Sequence, residues 1–158
     1  QVRGDNVFSG YWRMPEKTQE EFTPDGFFRT GDMGRFDADG YLAIIGRDKD
    51  LIISGGLNVY PKEIEEAIDA LPGVAESAVI GLPHPDFGEA VTAVVVRGRD
   101  ASGLTAEGII AALKGNIAGF KVPKAVHFVD DLPRNAMGKV QKNRLRERFG
   151  DAGKSQPP

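Results

Sequence analysis

The chain has 158 residues, with 20 Lys and Arg against 23 Asp and Glu, two His and no Cys. This is the composition of a soluble globular protein with room for one ordinary domain, or for a small domain and a piece of another. A net charge of −3 lacks the basic footprint of a general nucleic-acid binder, the missing cysteines exclude disulfides and thiolate metal sites, and no apolar run approaches the roughly 20 residues that span a bilayer.

In chain order, residues 1 to about 46 carry aromatics (Phe8, Tyr11, Trp12, Phe22, Phe27, Phe28, Phe36, Tyr41) among turn signals. Asp25-Gly26 and Asp39-Gly40 separate short extended runs at 27–30, 33–37 and 41–46. Strands with aromatic faces need a partner surface, so this segment is expected to lack a core of its own. The opening Gln1-Val2-Arg3-Gly4 has neither an initiator Met nor a signal-peptide pattern. It reads as a cut through a longer chain, with a cytoplasmic address as the default.

From about Leu51 the pattern changes. A short apolar strand at 51–53 is followed by a helix opened by Pro61, whose missing N–H costs nothing at a first helical position. Ile64, Ala67, Ile68 and Leu71 recur on one face of it, and Pro72-Gly73 stops it. Runs at 74–82 and 90–97 are strands, the second apolar enough to be buried on both faces. Thr105 caps a second helix with a stripe of Ile109, Ile110, Leu113 and Ile117. A last strand at 125–129, a turn at 131–138 and a short helix with Leu145 and Phe149 at i, i+4 complete the chain. The polar tail 151–158 is expected to be disordered. The order β-α-β-β-α-β predicts a small ferredoxin-like α+β unit, a fold that by itself also suits a small-ligand sensor. An RNA reader is excluded, because no aromatic RNP pattern sits on the strands and the charge has the wrong sign.

Four stretches could carry chemistry. Phe28-Arg29-Thr30-Gly31-Asp32 ends on an acceptor-only carboxylate able to receive two sugar hydroxyls; a plain turn aspartate is the bland alternative. Gly46-Arg47-Asp48-Lys49 leads to Ser54-Gly55-Gly56, read as a flexible loop whose backbone can approach a ligand closely, although it fits no phosphate-cradling pattern. Pro133-Arg134-Asn135-Ala136-Met137-Gly138-Lys139-Val140 puts a lysine at a turn tip, and Pro133 and Val140 rule out a P-loop. Phe87, in Asp86-Phe87-Gly88-Glu89, could stack a base and Lys121, after Phe120, could pair a phosphate; loop anchoring serves as well. His84 and His127 lie outside any metal-ligand spacing and read as structural.

Taken in order, these stretches resemble the closing motifs of the adenylate-forming superfamily of acyl- and aryl-CoA synthetases, adenylation domains and luciferases. The family pattern Gly-Tyr-Trp corresponds to Gly10-Tyr11-Trp12, and (Tyr/Phe)-Arg-Thr-Gly-Asp to 28–32. The pattern Gly-Arg-x-x-Asp-x-Ile-x-x-Gly-Gly-x-x-(Val/Ile)-x-Pro-x-Glu-(Ile/Val)-Glu corresponds to 46–65, and Pro-Arg-(Asn/Thr)-x-x-Gly-Lys to 133–139. Within the family, 49–61 and 128–135 are similar to malonyl-CoA synthetases.

The resemblance implies a division into 1–47, the strand-rich end of a large ATP- and acyl-binding domain, and 48–150, a mobile C-terminal lid. It implies an enzyme that activates a small carboxylic acid with Mg-ATP to an acyl-adenylate and pyrophosphate, then passes the acyl group to CoA. Magnesium and the acyl chain would be held mainly by the N-terminal domain. Asp32 and Arg47 would hold the AMP ribose, Lys139 would catalyse adenylation, and Lys49 would be the hinge on which the lid turns. Gly55 and Gly56 would line the pantetheine channel, with Phe87, Phe120 and Lys121 near the CoA nucleotide. In several members the lysine matching Lys139 is reversibly acetylated, which implies an acetyltransferase and a deacetylase as partners. Loading of a carrier protein in place of CoA is the alternative within the family, and an isolated ligand-binding or acetylation-regulated module is the alternative outside enzymes.

Overall fold

A computed structural model describes residues 1–150; the tail 151–158, expected to be disordered, lies outside the described residues. The chain divides into two compact units, one ending at Lys49 and the other starting at Asp50. The division falls two residues beyond the boundary expected at 47.

In the first unit no residue is fully buried. Helix α1 (Pro15–Glu21) is a correction to the all-strand expectation. Pro15 occupies its first turn, where proline is pre-organised, and Glu, Lys and Gln supply good helix formers. Thr18 holds the entry: its hydroxyl accepts from the Tyr11 N–H at 2.9 Å and donates to the Met14 carbonyl at 2.9 Å. Phe8 meets Tyr11, Phe22 and Phe28 edge-on with centroids 5.1, 5.7 and 5.1 Å apart. The run at 27–30 forms only isolated bridges, from Phe28 to Val2 and Phe22. Strands β1 (Asp32–Phe36) and β2 (Leu42–Arg47) make an antiparallel ribbon. Its turn is closed by Asp37, whose Oδ1 accepts from the N–H groups of Asp39 and Tyr41.

The second unit holds the core. Strands β3 (Ile52–Ser54) and β4 (Leu57–Val59) form a hairpin, followed by α2 (Pro61–Asp69), β5 (Val74–His84), β6 (Gly88–Arg97), α3 (Ala106–Lys114), β7 (Ala125–Val129) and α4 (Lys142–Gly150). Counting the hairpin as one strand, the chain order is the expected β-α-β-β-α-β. Strand β6 is the centre of the sheet: it pairs antiparallel with β5 along its length, parallel with β7, and with β3 through a single bridge, Ser54 to Gly88. The parallel pair needs a crossover, which α3 provides.

Because side chains alternate across a sheet, β6 feeds two cores, and residues 90 to 95 are all buried. Val91, Ala93 and Val95 pack with Val79 under Ile64 and Ile68 of α2 and Ile109 and Leu113 of α3. Val94 packs with Ala78, Ile80 and Leu132 under Leu145 of α4 on the other face. Each such fully buried Ile or Leu contributes about 1.5–3 kcal/mol. Thr105 caps α3 through the Gly108 N–H at 3.0 Å. The outer edge of β5 is covered by α2, where Glu65 accepts from the Val79 N–H at 2.8 Å and Asp69 is hydrogen-bonded by Ser77. Capping an exposed edge with carboxylates removes a template for strand addition.

Candidate functional site

The candidate residues fall into three places. The first is a cleft of about 580 Å³ in the first unit, lined by Phe28 to Asp32, Arg47 to Lys49, Tyr11, Lys17 and Glu21. The ribbon sets its chemistry: Asp32 opens β1, Arg47 closes β2, and the two are register partners. Arg47 Nε lies 2.7 Å from Asp32 Oδ1, which leaves the second carboxylate oxygen able to accept hydroxyls. Thr30 Oγ1 accepts from the Asp32 N–H at 3.1 Å, and the Asp48 N–H donates to the Gly31 carbonyl at 3.0 Å. Asp32, Arg47 and Lys49 are thus brought to one cleft.

The second place is the Lys139 turn. Asn135 organises it: its Oδ1 accepts from the N–H groups of Met137 and Lys139 at 3.0 and 2.9 Å. Its own N–H donates to the Lys139 carbonyl at 2.9 Å, and the Gly138 N–H donates to the Asn135 carbonyl at 2.9 Å. Below the tip, Arg134 bridges Val140 and the Gln141 N–H donates to the Pro133 carbonyl at 2.7 Å. Lys139 itself is exposed and takes part in none of the ion pairs formed among the described residues. The backbone is fixed and the ammonium is left available.

The third place is the tip of the β3–β4 hairpin. The loop expected to be flexible is a two-residue turn, with Gly55 and Gly56 at φ of 57° and 77°. Two consecutive positive φ values are what a right-twisted hairpin turn demands, and glycine adopts them without a Cβ penalty. The Gly55 N–H donates to the Phe87 carbonyl at 2.8 Å, so Gly55, Gly56 and Phe87 converge. Phe120 and Lys121 sit in a short 3₁₀ turn, Gly119–Lys121. Lys121 is already paired: its ammonium lies 2.7 Å from the Glu63 carboxylate. The cation beside Phe87 is Lys124, 5.1 Å from the ring centroid. Sequence reading missed it, although Lys121-Val122-Pro123-Lys124 places it only one turn further on.

Two carboxylates outside these places support them. Glu89 Oε2 accepts from the Ile53 N–H at 2.8 Å, tying the hairpin to β6. Glu65 pairs with Lys142 at 2.7 Å. His84 and His127 pack on rings, against Phe87 and Phe149 with centroids 4.8 and 4.5 Å apart. Among the described residues no group of three or more His, Asp or Glu is placed to hold a metal ion.

Comparison with known proteins bears on the family. Residues 63–139 match the family model of the AMP-binding enzyme C-terminal domain. Over these residues the chain belongs to the AMP-binding enzyme C-terminal domain family. Its relatives are acyl-CoA synthetases and ligases. It is 47% identical over 149 residues to a feruloyl-CoA synthase of an Amycolatopsis species, covering 94% of this chain and 30% of that protein. It is 51% identical over 146 residues to the 3-[(3aS,4S,7aS)-7a-methyl-1,5-dioxo-octahydro-1H-inden-4-yl]propanoyl:CoA ligase of Rhodococcus jostii, covering 92% and 28%. The crystal structure of ATP-bound MatB from Rhodopseudomonas palustris superposes with a TM-score of 0.85 at 63% identity, covering 95% of this chain and 30% of that one. The chain therefore spans about 30% of the length of the curated relatives it matches. The α+β fold of the second unit agrees with the fold expected from the order of its elements.

Proposed function

We propose that this chain is the C-terminal part of an ATP-dependent acid–CoA ligase, and that Lys139 is its adenylation lysine. The observation that carries the reading is the Lys139 turn, a rigid backbone presenting one unpaired ammonium. A carboxylate attacking a phosphate brings two anions together, and a pre-placed ammonium offsets that repulsion as charge develops. Asp32 and Arg47 are the ribose-binding pair: the carboxylate accepts from the hydroxyls while the guanidinium fixes it. The Gly55–Gly56 tip is the part that lines the pantetheine channel, where a backbone without side chains lets a thin arm pass, and Phe87 and Phe120 are the aromatic contacts for the CoA nucleotide. Lys124 replaces Lys121 as the more available cation there. Magnesium enters with ATP and is held mainly by the N-terminal domain of the full enzyme.

We propose malonate as the acid. The stretches 49–61 and 128–135 are similar to those of malonyl-CoA synthetases, and MatB, which stands among them, reaches 63% identity against 47% and 51% for the ligases of bulkier acids. Exposure of Lys139 also makes it a fitting target for an acetyltransferase and its deacetylase, since acetylation would abolish the charge the step needs. The activity is cytoplasmic in this reading. The test is carboxylate-dependent pyrophosphate release by the long enzyme that ends in this chain, offered malonate, ferulate and a long-chain fatty acid. Preference for malonate is expected; preference for either other acid would overturn the malonate assignment, and no release with any acid would overturn the ligase.

A further inference from the structure

The turn that carries Lys139 projects from the domain, and something must keep its tip in register with the sheet. Two cations flank it, Arg134 before and Lys142 after, and each reaches an acidic partner on or beside the outer edge of β5. Arg134 pairs through Nη2 with Glu76 of β5 and donates from Nη1 to the Gly138 carbonyl at 2.7 Å, the peptide group directly before Lys139. Lys142 lies 2.7 Å from Glu65 Oε1, and the same oxygen accepts from the Val79 N–H of β5 at 2.8 Å.

The Lys142–Glu65 pair is not an ordinary surface pair, because its side chains are only 16% and 19% exposed and solvent screens it less. Lys142 also opens α4, whose first turn contains no acidic residue. A cation there opposes the helix dipole, so local helix stability does not account for it; Glu65 does.

We propose that Lys142 and Arg134 are positioning residues for Lys139, each tethering one limb of its turn to the outer edge of β5 through an acidic partner. This rests on the reading of Lys139 as the adenylation lysine. Loss of either tether leaves the ammonium present but wandering, and a displacement of about 1 Å costs on the order of 100-fold in a step that depends on placement.

The experiment has two arms. In the 158-residue chain, amide hydrogen exchange is followed at Met137 and Lys139, with Val94 as a core reference. Lys142→Met and Arg134→Met are expected to exchange severalfold faster at Met137 and Lys139 and unchanged at Val94, and Lys142→Arg is expected to restore protection. Should Lys142→Met also expose Val94, Glu65→Gln decides, because it keeps an acceptor for the Val79 N–H while removing the ion pair. Unchanged exchange at Met137 and Lys139 in these variants overturns the tether whatever the reaction is. In the long enzyme, the same variants are expected to lose roughly 10- to 100-fold in adenylation while thioester formation from pre-made acyl-adenylate holds. Equal losses in both half-reactions, in parallel with a fall in Tm, overturn positioning in favour of plain stability. Full adenylation by Lys139→Ala would sink the functional reading instead, and the exchange arm would still judge the tether.

Discussion

At the scale of single residues, the arrangement turns on small groups that leave room for a charged one. A Cβ on Gly81 would lie 2.5 Å from Glu89 Oε1, so the carboxylate that receives the Ile53 N–H crosses directly over this glycine. Gly81→Ala is expected to push Glu89 aside and leave that exposed N–H to water, at about 0.5–1.5 kcal/mol, measured by urea unfolding; no measurable loss would show that the hairpin does not depend on Glu89. His127 gives a pH handle. Burial holds its imidazole below the usual 6.5, so the unfolded chain takes up a proton at higher pH than the folded one. Its stabilising contribution is therefore complete above about pH 6.5 and is lost as pH falls from there to the folded value. His127→Gln is expected to flatten that part of the stability profile, read as Tm against pH. Asp69 acts in the opposite sense: burial raises its carboxyl, so its contribution is greatest in acid and lost as pH rises through that raised value.

At the scale of elements, what was legible in the sequence was whatever repeats. The helices α2 and α3, the doubly buried β6 and the strand β7 follow from periodicity, because burial of one face or both leaves a pattern over many residues. What escaped was decided by one or two residues. The β3–β4 hairpin was read as a loop because β4 has only three residues and Gly55-Gly56 serves equally as a turn or as flexible chain. Helix α1 escaped because it buries no residue and so has no apolar stripe. The site was legible to the same degree: Asp32, Arg47 and Lys139 stand in motifs, but the pairing of Lys121 with Glu63 and the place of Lys124 depend on distances that no local pattern contains. For α4, the i, i+4 pair Leu145 and Phe149 was legible but its face was not. It covers the side of the sheet opposite α2 and α3. Leu145 is 1% exposed, so Leu145→Ala is expected to destabilise by about 2–5 kcal/mol in chemical unfolding, and a cost under about 1 kcal/mol would mean that α4 is not an integral layer.

At the scale of the whole molecule, the chain is two compact units that part after Lys49. This supports the reading of Lys49 as a hinge, since a residue between separately packed units can change its backbone angles without disturbing either core. By itself the 158-residue chain is expected to show no ATP–pyrophosphate exchange with any acid, because in the proposed ligase the acyl chain and magnesium are held mainly by the N-terminal domain. In the long enzyme, Lys139 and the Gly55–Gly56 tip serve different half-reactions in this account, Lys139 the adenylation and the tip the thiol. The most direct measurement is therefore of both half-reactions, separately, for Lys139→Ala and Gly56→Leu. The account predicts that Lys139→Ala loses roughly two to three orders of magnitude in adenylate formation yet keeps thioester formation from pre-made acyl-adenylate, since an interaction absent from that transition state cannot stabilise it. Gly56→Leu should do the reverse. Equal losses in both steps for Lys139→Ala would contradict it.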